Sequence, residues 1–149
     1  QYLPCGLIDK NSTVTDAAFA IFDAPLWTMS LIGSRMHRVW ISTVCGRLET
    51  NYRYSNTLGW NTFPMPKFTQ KNIQDLTKNT EDILIAREMF FPKTIAQLYD
   101  PEQMPEKLLD LHKYNDEVLE RIYIGRSFKN DTERIEKLFE LYCKTIETK

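Results

Sequence analysis

The chain has 149 residues, 42% of them hydrophobic and 26% charged, with a formal net charge of −1. This describes a soluble globular protein with one core of ordinary size or two small ones sharing a boundary. No stretch reaches the roughly 20 uncharged apolar residues of a membrane helix; the nearest, Pro25 to Val44, carries Arg35, His37 and Arg38, so no membrane partner is expected.

Cys5, Cys45 and Cys143 are odd in number, far apart and without a CxxC pair, so neither a disulfide framework nor a zinc site is signalled. A reducing cytoplasm fits best. The sequence opens at Gln1 on an apolar stretch with no signal peptide, and is expected to be a piece of something longer. Up to Pro66 there are five basic residues against four acidic; from Lys67 onward, fourteen against sixteen. Between Ala24 and Pro66 the only acid is Glu49, set against four arginines, which makes that window locally basic.

In chain order, "QYLPCGLID" and "AAFAIFD" read as short buried strands joined by a polar turn around Lys10, Asn11 and Ser12. Asp23 and Pro25 open a helix that runs to about Val44, with Ile32, Met36, Trp40 and Val44 stacked at i+4 and Gly46 ending it. Arg47 to Ser55 and Thr57 to Phe63 follow as a hairpin, and "PMP", Pro64 to Pro66, closes the region. From Thr69 the spacing turns helical: Ile73, Leu76, Thr80, Ile83, Leu84 and Arg87 make one stripe, which Pro92 stops. "TIAQLYDPEQMP" is a short helical turn with Asp100 and Pro101 as cap and first position. Leu108, Leu111, His112, Val118, Leu119 and Ile122 mark the next helix. Asn130 or Asp131 caps the last, with Ile135, Leu138, Phe139, Tyr142 and Ile146 inward.

The stretch "GRLETNYRYSN" alternates Arg47, Glu49, Asn51, Arg53 and Ser55 against Leu48, Thr50, Tyr52 and Tyr54, a strand's period of two. Arginine matches O6 and N7 of guanine, asparagine N6 and N7 of adenine, and glutamate accepts from N4 of cytosine. Such side chains stand roughly 6 to 7 Å apart along one strand face, a spacing suited to successive base pairs. Two readings of the face stay open: base readout, and the ordinary polar outer face of an antiparallel strand. The absence of lysine between Asn11 and Pro66, in a chain of eleven lysines and eight arginines, leans toward directional bonding to bases or phosphates. Arg35 and Arg38 in "SRMHR" can hold phosphates or pair with acids of the helical region. His37 has no second ligand nearby and reads as a surface or packing residue. His112 reads as a satisfied core histidine, and Trp27, Trp40 and Trp60 sit at core-like positions. The two histidines are 75 positions apart, the glycines never cluster, and "ETK" at the end reads as tail. No catalytic constellation is present in the sequence.

The segment "GSRMHRVWISTVCGRLETNYRYSNTLGWNTFPMP" resembles the target-recognition segment of the MmeI-like, type IIL DNA methyltransferases, whose pattern runs S-x-M-H-x-x-W, G-R-L-x-x-x-Y-R-Y-S-N-T, N-x-F-P-x-P. "LYDPEQMPEKLLDLHKYND" and "DTERIEKLFELY" are similar to that family's C-terminal helical segment, so the resemblance runs from about Leu31 to Tyr142. Two departures are Arg38, where the family often has an apolar residue, and "LGWNTF", which replaces a tyrosine–asparagine pair. The elements read above make an α+β chain, a small mixed strand/helix region followed by a mostly α-helical bundle, and the resemblance implies that residues 1–66 are the C-terminal portion of a target-recognition domain and 67–149 the helical C-terminal domain. It implies a site-specific adenine-N6 methyltransferase using S-adenosylmethionine in the parent protein, in some members fused to a nuclease, with no cofactor bound by this fragment. It implies that the positions after G-R-L, here Glu49, Asn51 and Arg53, dictate the base pairs recognised. Arg35, Arg38 and Arg47 are then the phosphate contacts, and the partners are double-stranded DNA and the remainder of the same chain. The alternative is a helical protein-interaction module that touches no DNA.

Overall fold

The computed structural model describes residues 2–15, 18–48, 51–52 and 54–147, with Arg47, Leu48, Asn51 and Tyr52 described by their backbone alone. Among these residues six α-helices supply the architecture: α1 (Thr28–Ile32), α2 (Arg35–Val44), α3 (Gln70–Glu88), α4 (Ile95–Leu98), α5 (Glu106–Ile124) and α6 (Asp131–Glu147). Helices α2, α3 and α6 begin where a side chain can take an orphan amide. Ser34 Oγ accepts from His37 N at 3.1 Å, Thr69 and Asn72 form a reciprocal capping box, and Asn130 Oδ1 accepts from Glu133 N at 2.9 Å. Helix α5 starts at Glu106 behind Pro105, later than Pro101, because Asp100 instead folds a turn by accepting from Glu102 N. It ends at Gly125, whose φ of 78° suits glycine.

The expected α+β class is corrected: helices dominate, and the described residues form no sheet layer. Among the described residues the only ladder pairs β1 (Arg47–Leu48) with β2 (Asn51–Tyr52), two residues each. Neither expected N-terminal strand forms among the described residues. Tyr2 packs on α5, but Leu7, Ile8, Phe19 and Phe22 are exposed. An alternating pattern specifies which side chains share a face, but a strand also needs a neighbour for its amides and carbonyls. Thr57 to Phe63 fails as a strand for a local reason. Ser55 caps a π-helical turn, Asn56–Trp60, accepting from Leu58 N at 3.3 Å. The helix expected from Pro25 to Val44 is likewise split at Gly33 and Ser34, where Ser34 starts a fresh helix.

One core crosses the Pro64–Pro66 segment. Leu31, Met36, Trp40 and Phe63 from the first region pack with Leu76, Leu119, Tyr123, Phe128 and Leu138 from the second. Trp40 meets Phe139 and Tyr142 of α6 at ring separations of 5.3 and 5.6 Å, and Tyr123 donates to the Pro64 carbonyl at 2.9 Å. A smaller cluster of Ile83, Ala86, Leu98, Tyr99 and Leu108 joins α3, α4 and α5.

Buried polar groups stitch the two regions at the α1–α2 break. Asn115 Nδ2 on α5 donates to Ser30 O at 2.9 Å, Asp116 Oδ1 accepts from Arg35 N at 2.7 Å, and Ser30 Oγ donates to Leu76 O at 2.7 Å. Tyr2 also donates to Asp116 at 2.9 Å, placing the N-terminal segment against α5. Its ring stacks on His112 at 4.4 Å. Below this, Arg134 pairs with Glu120 (2.9 and 2.6 Å), whose other oxygen accepts from Phe128 N at 2.8 Å.

Both members of that pair are under 10% exposed, so removing one charge leaves the other buried and uncompensated. Arg134→Met is predicted to cost about 3–5 kcal/mol, read as a lowered urea midpoint, whereas adding Glu120→Gln to it should recover much of the loss.

Acid stability follows from three buried groups. Burial pushes Asp116 up to about 6, outweighing the hydrogen bonds from Arg35 N and Tyr2 that favour its charge. Burial holds His37 down to about 4, and burial and then Arg87 hold His112 down to about 3. Between pH 6 and 4 an unfolded chain protonates both histidines while the folded chain keeps them neutral, which destabilises the fold on acidification. Asp116 acts oppositely, since its raised pKa makes the folded chain take up a proton there and gain stability as pH falls. The prediction is a net loss of stability from pH 6.5 to 4.5 that becomes steeper in Asp116→Asn, measured by urea unfolding across that range.

Candidate nucleic-acid interface

Within the basic window a short hairpin stands at the C-terminal end of α2. Helix α2 stops at Val44, Cys45 is extended and buried, and Gly46 leads into β1. Register pairs Arg47 with Tyr52 and Leu48 with Asn51. The chain therefore turns back after Leu48, and Arg47 to Ser55 is not the single strand expected from parity. Arg47 and Asn51 lie on opposite strands of the ladder. Glu49 falls between the paired residues and Arg53 follows β2; both lie outside the described residues.

The segment leaving the hairpin is seated on α2 by Tyr54, Gly59, Trp60 and Phe63. His37 is fully buried; its Nε2 lies 3.1 Å from Tyr54 Oη, and its ring meets Phe63 edge-on at 4.8 Å and Trp60 at 5.9 Å. Its Nδ1 has no hydrogen-bond partner among the described residues. Burial raises the Tyr54 hydroxyl to about 12, so it stays protonated. A Cβ on Gly59 would come within 3.2 Å of Ile41 Cγ2 and 3.3 Å of Cys45 Sγ, so this is a place where α2 admits backbone alone. Trp40 Nε1 donates to Thr62 Oγ1 at 3.3 Å. Trp40 is buried, while Trp27 and Trp60 are partly buried against the same core.

The two arginines of α2 differ. Arg35 is exposed, and its guanidinium makes a two-point contact with Asp131 of α6 at 2.8 and 3.1 Å. That is the pairing with the helical region which sequence left open beside phosphate binding. Arg38, one turn on, is half-buried and makes no hydrogen bond or ion pair with the described residues. His112 is buried as expected, but only Nε2 is paired, to Tyr99 Oη at 2.7 Å. Among the described residues no group of three metal-ligating side chains converges, and no helix is long and apolar enough to cross a membrane.

Sequence reasoning missed the polar groups that pair with α1 and α2: Tyr54, Asn115 and Asp116. Parity puts Tyr54 on the face opposite Arg47 and Asn51 but names no partner for its hydroxyl. Asn115 and Asp116 were only two letters of a motif. Their sole signal was polarity on the otherwise apolar stripe of α5, which asks for a buried hydrogen-bond partner.

Comparison with known proteins accords with this layout. Residues 1–67 match the family model for the MmeI target recognition domain, and residues 68–148 match that for the MmeI C-terminal domain. DNA methyltransferase A of Bacillus subtilis (strain 168) is 36% identical over 146 residues, which is 98% of this chain and 16% of that protein. A solved structure of the type IIL restriction-modification enzyme MmeI in complex with DNA superposes with a TM-score of 0.79 at 35% identity, covering 84% of this chain and 17% of the other. The chain thus spans a small fraction of the length of either relative. With family models matching nearly its whole length, it belongs to the MmeI family, through the target recognition and C-terminal domains.

Proposed function

We propose that this chain is the DNA-recognition module of a site-specific adenine-N6 DNA methyltransferase of the restriction-modification type. What carries the reading is that both regions, in order, match the MmeI recognition and C-terminal domains, while a DNA-bound MmeI shares the fold at 35% identity. The boundary near residues 66 and 67 then separates a region that meets DNA from a helical region that supports it. S-adenosylmethionine and the catalytic machinery belong to other parts of the parent chain. The exposed Leu7, Ile8, Phe19 and Phe22 offer an apolar face to that remainder.

In this reading the hairpin tip enters a groove of the duplex. Glu49 accepts from cytosine, Asn51 pairs with adenine and Arg53 donates to guanine. Arg47 and Arg38 meet phosphates, and Arg35 joins them by exchanging one contact with Asp131. Arg47 and Asn51 lie on the two short strands, and Arg35 and Arg38 on the helix that leads into them, so base and phosphate contacts come from neighbouring elements.

Exchange of Glu49 and Asn51 as a pair in the full-length protein is predicted to alter one or two base pairs of the methylated motif with activity kept, as mapped by sequencing modified DNA. Alanine at either should cost about 1–3 kcal/mol of discrimination at one position. Alanine at Arg38 should weaken binding to all sequences and reduce the salt slope by about 1. A motif unchanged by every one of these substitutions contradicts base readout by the hairpin.

A further inference from the structure

The hairpin is tied covalently to α2 at one foot, through Cys45 and Gly46, while the other returns at Tyr54 with no such tie. A ladder of two residues per strand cannot hold its own orientation. We infer that His37 and Tyr54 form a latch that sets the angle of the hairpin on α2, making both positioning residues for base readout. The inference rests on the hairpin being the reading element, as proposed above.

Three observations carry it. The polar contact that the His37 ring makes is the one to Tyr54 at 3.1 Å, directly beside the hairpin's returning strand. Phenylalanine would fill the same slot against Phe63 and Trp60 without burying an unpaired nitrogen, yet His37 leaves Nδ1 without a partner among the described residues, a cost to stability. What the imidazole supplies in return is direction, because a hydrogen bond fixes an angle as packing alone does not. Finally, the Tyr54 ring has packing neighbours of its own. A Cβ on Gly59 would stand 3.4 Å from Tyr54 Cε2, and Phe19 lies 5.5 Å from the ring. The hydroxyl is thereby aimed at the first turn of α2, where Ser34 caps the helix and Asp116 holds Arg35 N. The chain returning from DNA is referenced to the most heavily anchored point of the recognition region.

The test uses the full-length protein with Tyr54→Phe and with the double variant His37→Phe/Tyr54→Phe. The readout is kcat/KM for methylation of a duplex carrying the motif against one with a single base pair changed, alongside thermal unfolding. The latch predicts that both variants lose about tenfold in discrimination. The double variant, freed of the unpaired nitrogen, should unfold no earlier than the natural protein. Discrimination unchanged in Tyr54→Phe overturns the latch and leaves His37 a packing residue; this single variant decides the matter if the double variant does not fold. The paired exchange at Glu49 and Asn51, run in parallel, separates the two claims. An altered motif there with unchanged discrimination in the latch variants removes the latch alone. An unaltered motif removes the reading hairpin, and the latch falls with it.

Discussion

Asn115 and Asp116, adjacent on α5, hold the arrangement together by satisfying backbone groups that the break between α1 and α2 would otherwise leave unpaired. One takes the Ser30 carbonyl and the other the Arg35 amide. Asn79 on α3 meets Asn115 at 3.3 Å, and Ser30 itself bonds Leu76 and Thr80 on α3. A helix break in a core is tolerable only when its amides and carbonyls find partners. These bonds supply them from the helical region, so the recognition region has its geometry set by residues more than 40 positions away in sequence.

From that fixed point α2 runs between the core and the hairpin. Its buried side, Met36, Trp40 and Ile41, is held by the packing of the core and the π-helical turn. Its end delivers the chain into the ladder, and its beginning meets the chain coming back. A loop that must present polar groups to a ligand is poorly served by its own few contacts; anchorage of both feet on one packed helix lowers the ordering cost on binding. Arg35 illustrates a second economy of arrangement. The same guanidinium that faces solvent also bridges α2 to Asp131 at the start of α6, where a carboxylate suits the helix N-terminus as well.

The helices were legible because their signals are local. Thr69 with Asn72 and Asn130 before Glu133 announce their starts, and Leu76, Ile83, Leu108, Leu119 and Leu138 fall on the buried stripes the spacing marks. The strands were misread because alternation in Arg47 to Ser55 carries no information about where the chain turns back. The turn after Leu48 converts one long face into two short strands, while Ser55 and Gly59 favour a π-helical turn against α2. Sequence alone does not choose between phosphate and carboxylate for Arg35, since Asp131 is 96 positions distant. The roles of Glu49, Asn51 and Arg53 rest on residue type and family likeness.

The central claim is that the segment from Gly46 to Tyr54 meets DNA while the frame beneath it is already ordered. Hydrogen–deuterium exchange on the full-length protein addresses it directly, with and without a duplex carrying its methylation motif, and with a scrambled duplex as control. The account predicts slowed exchange across 46–54 with the motif duplex only, and equal protection of α2 and α5 in all three states. Exchange across 46–54 that is unaffected by the motif duplex would contradict it.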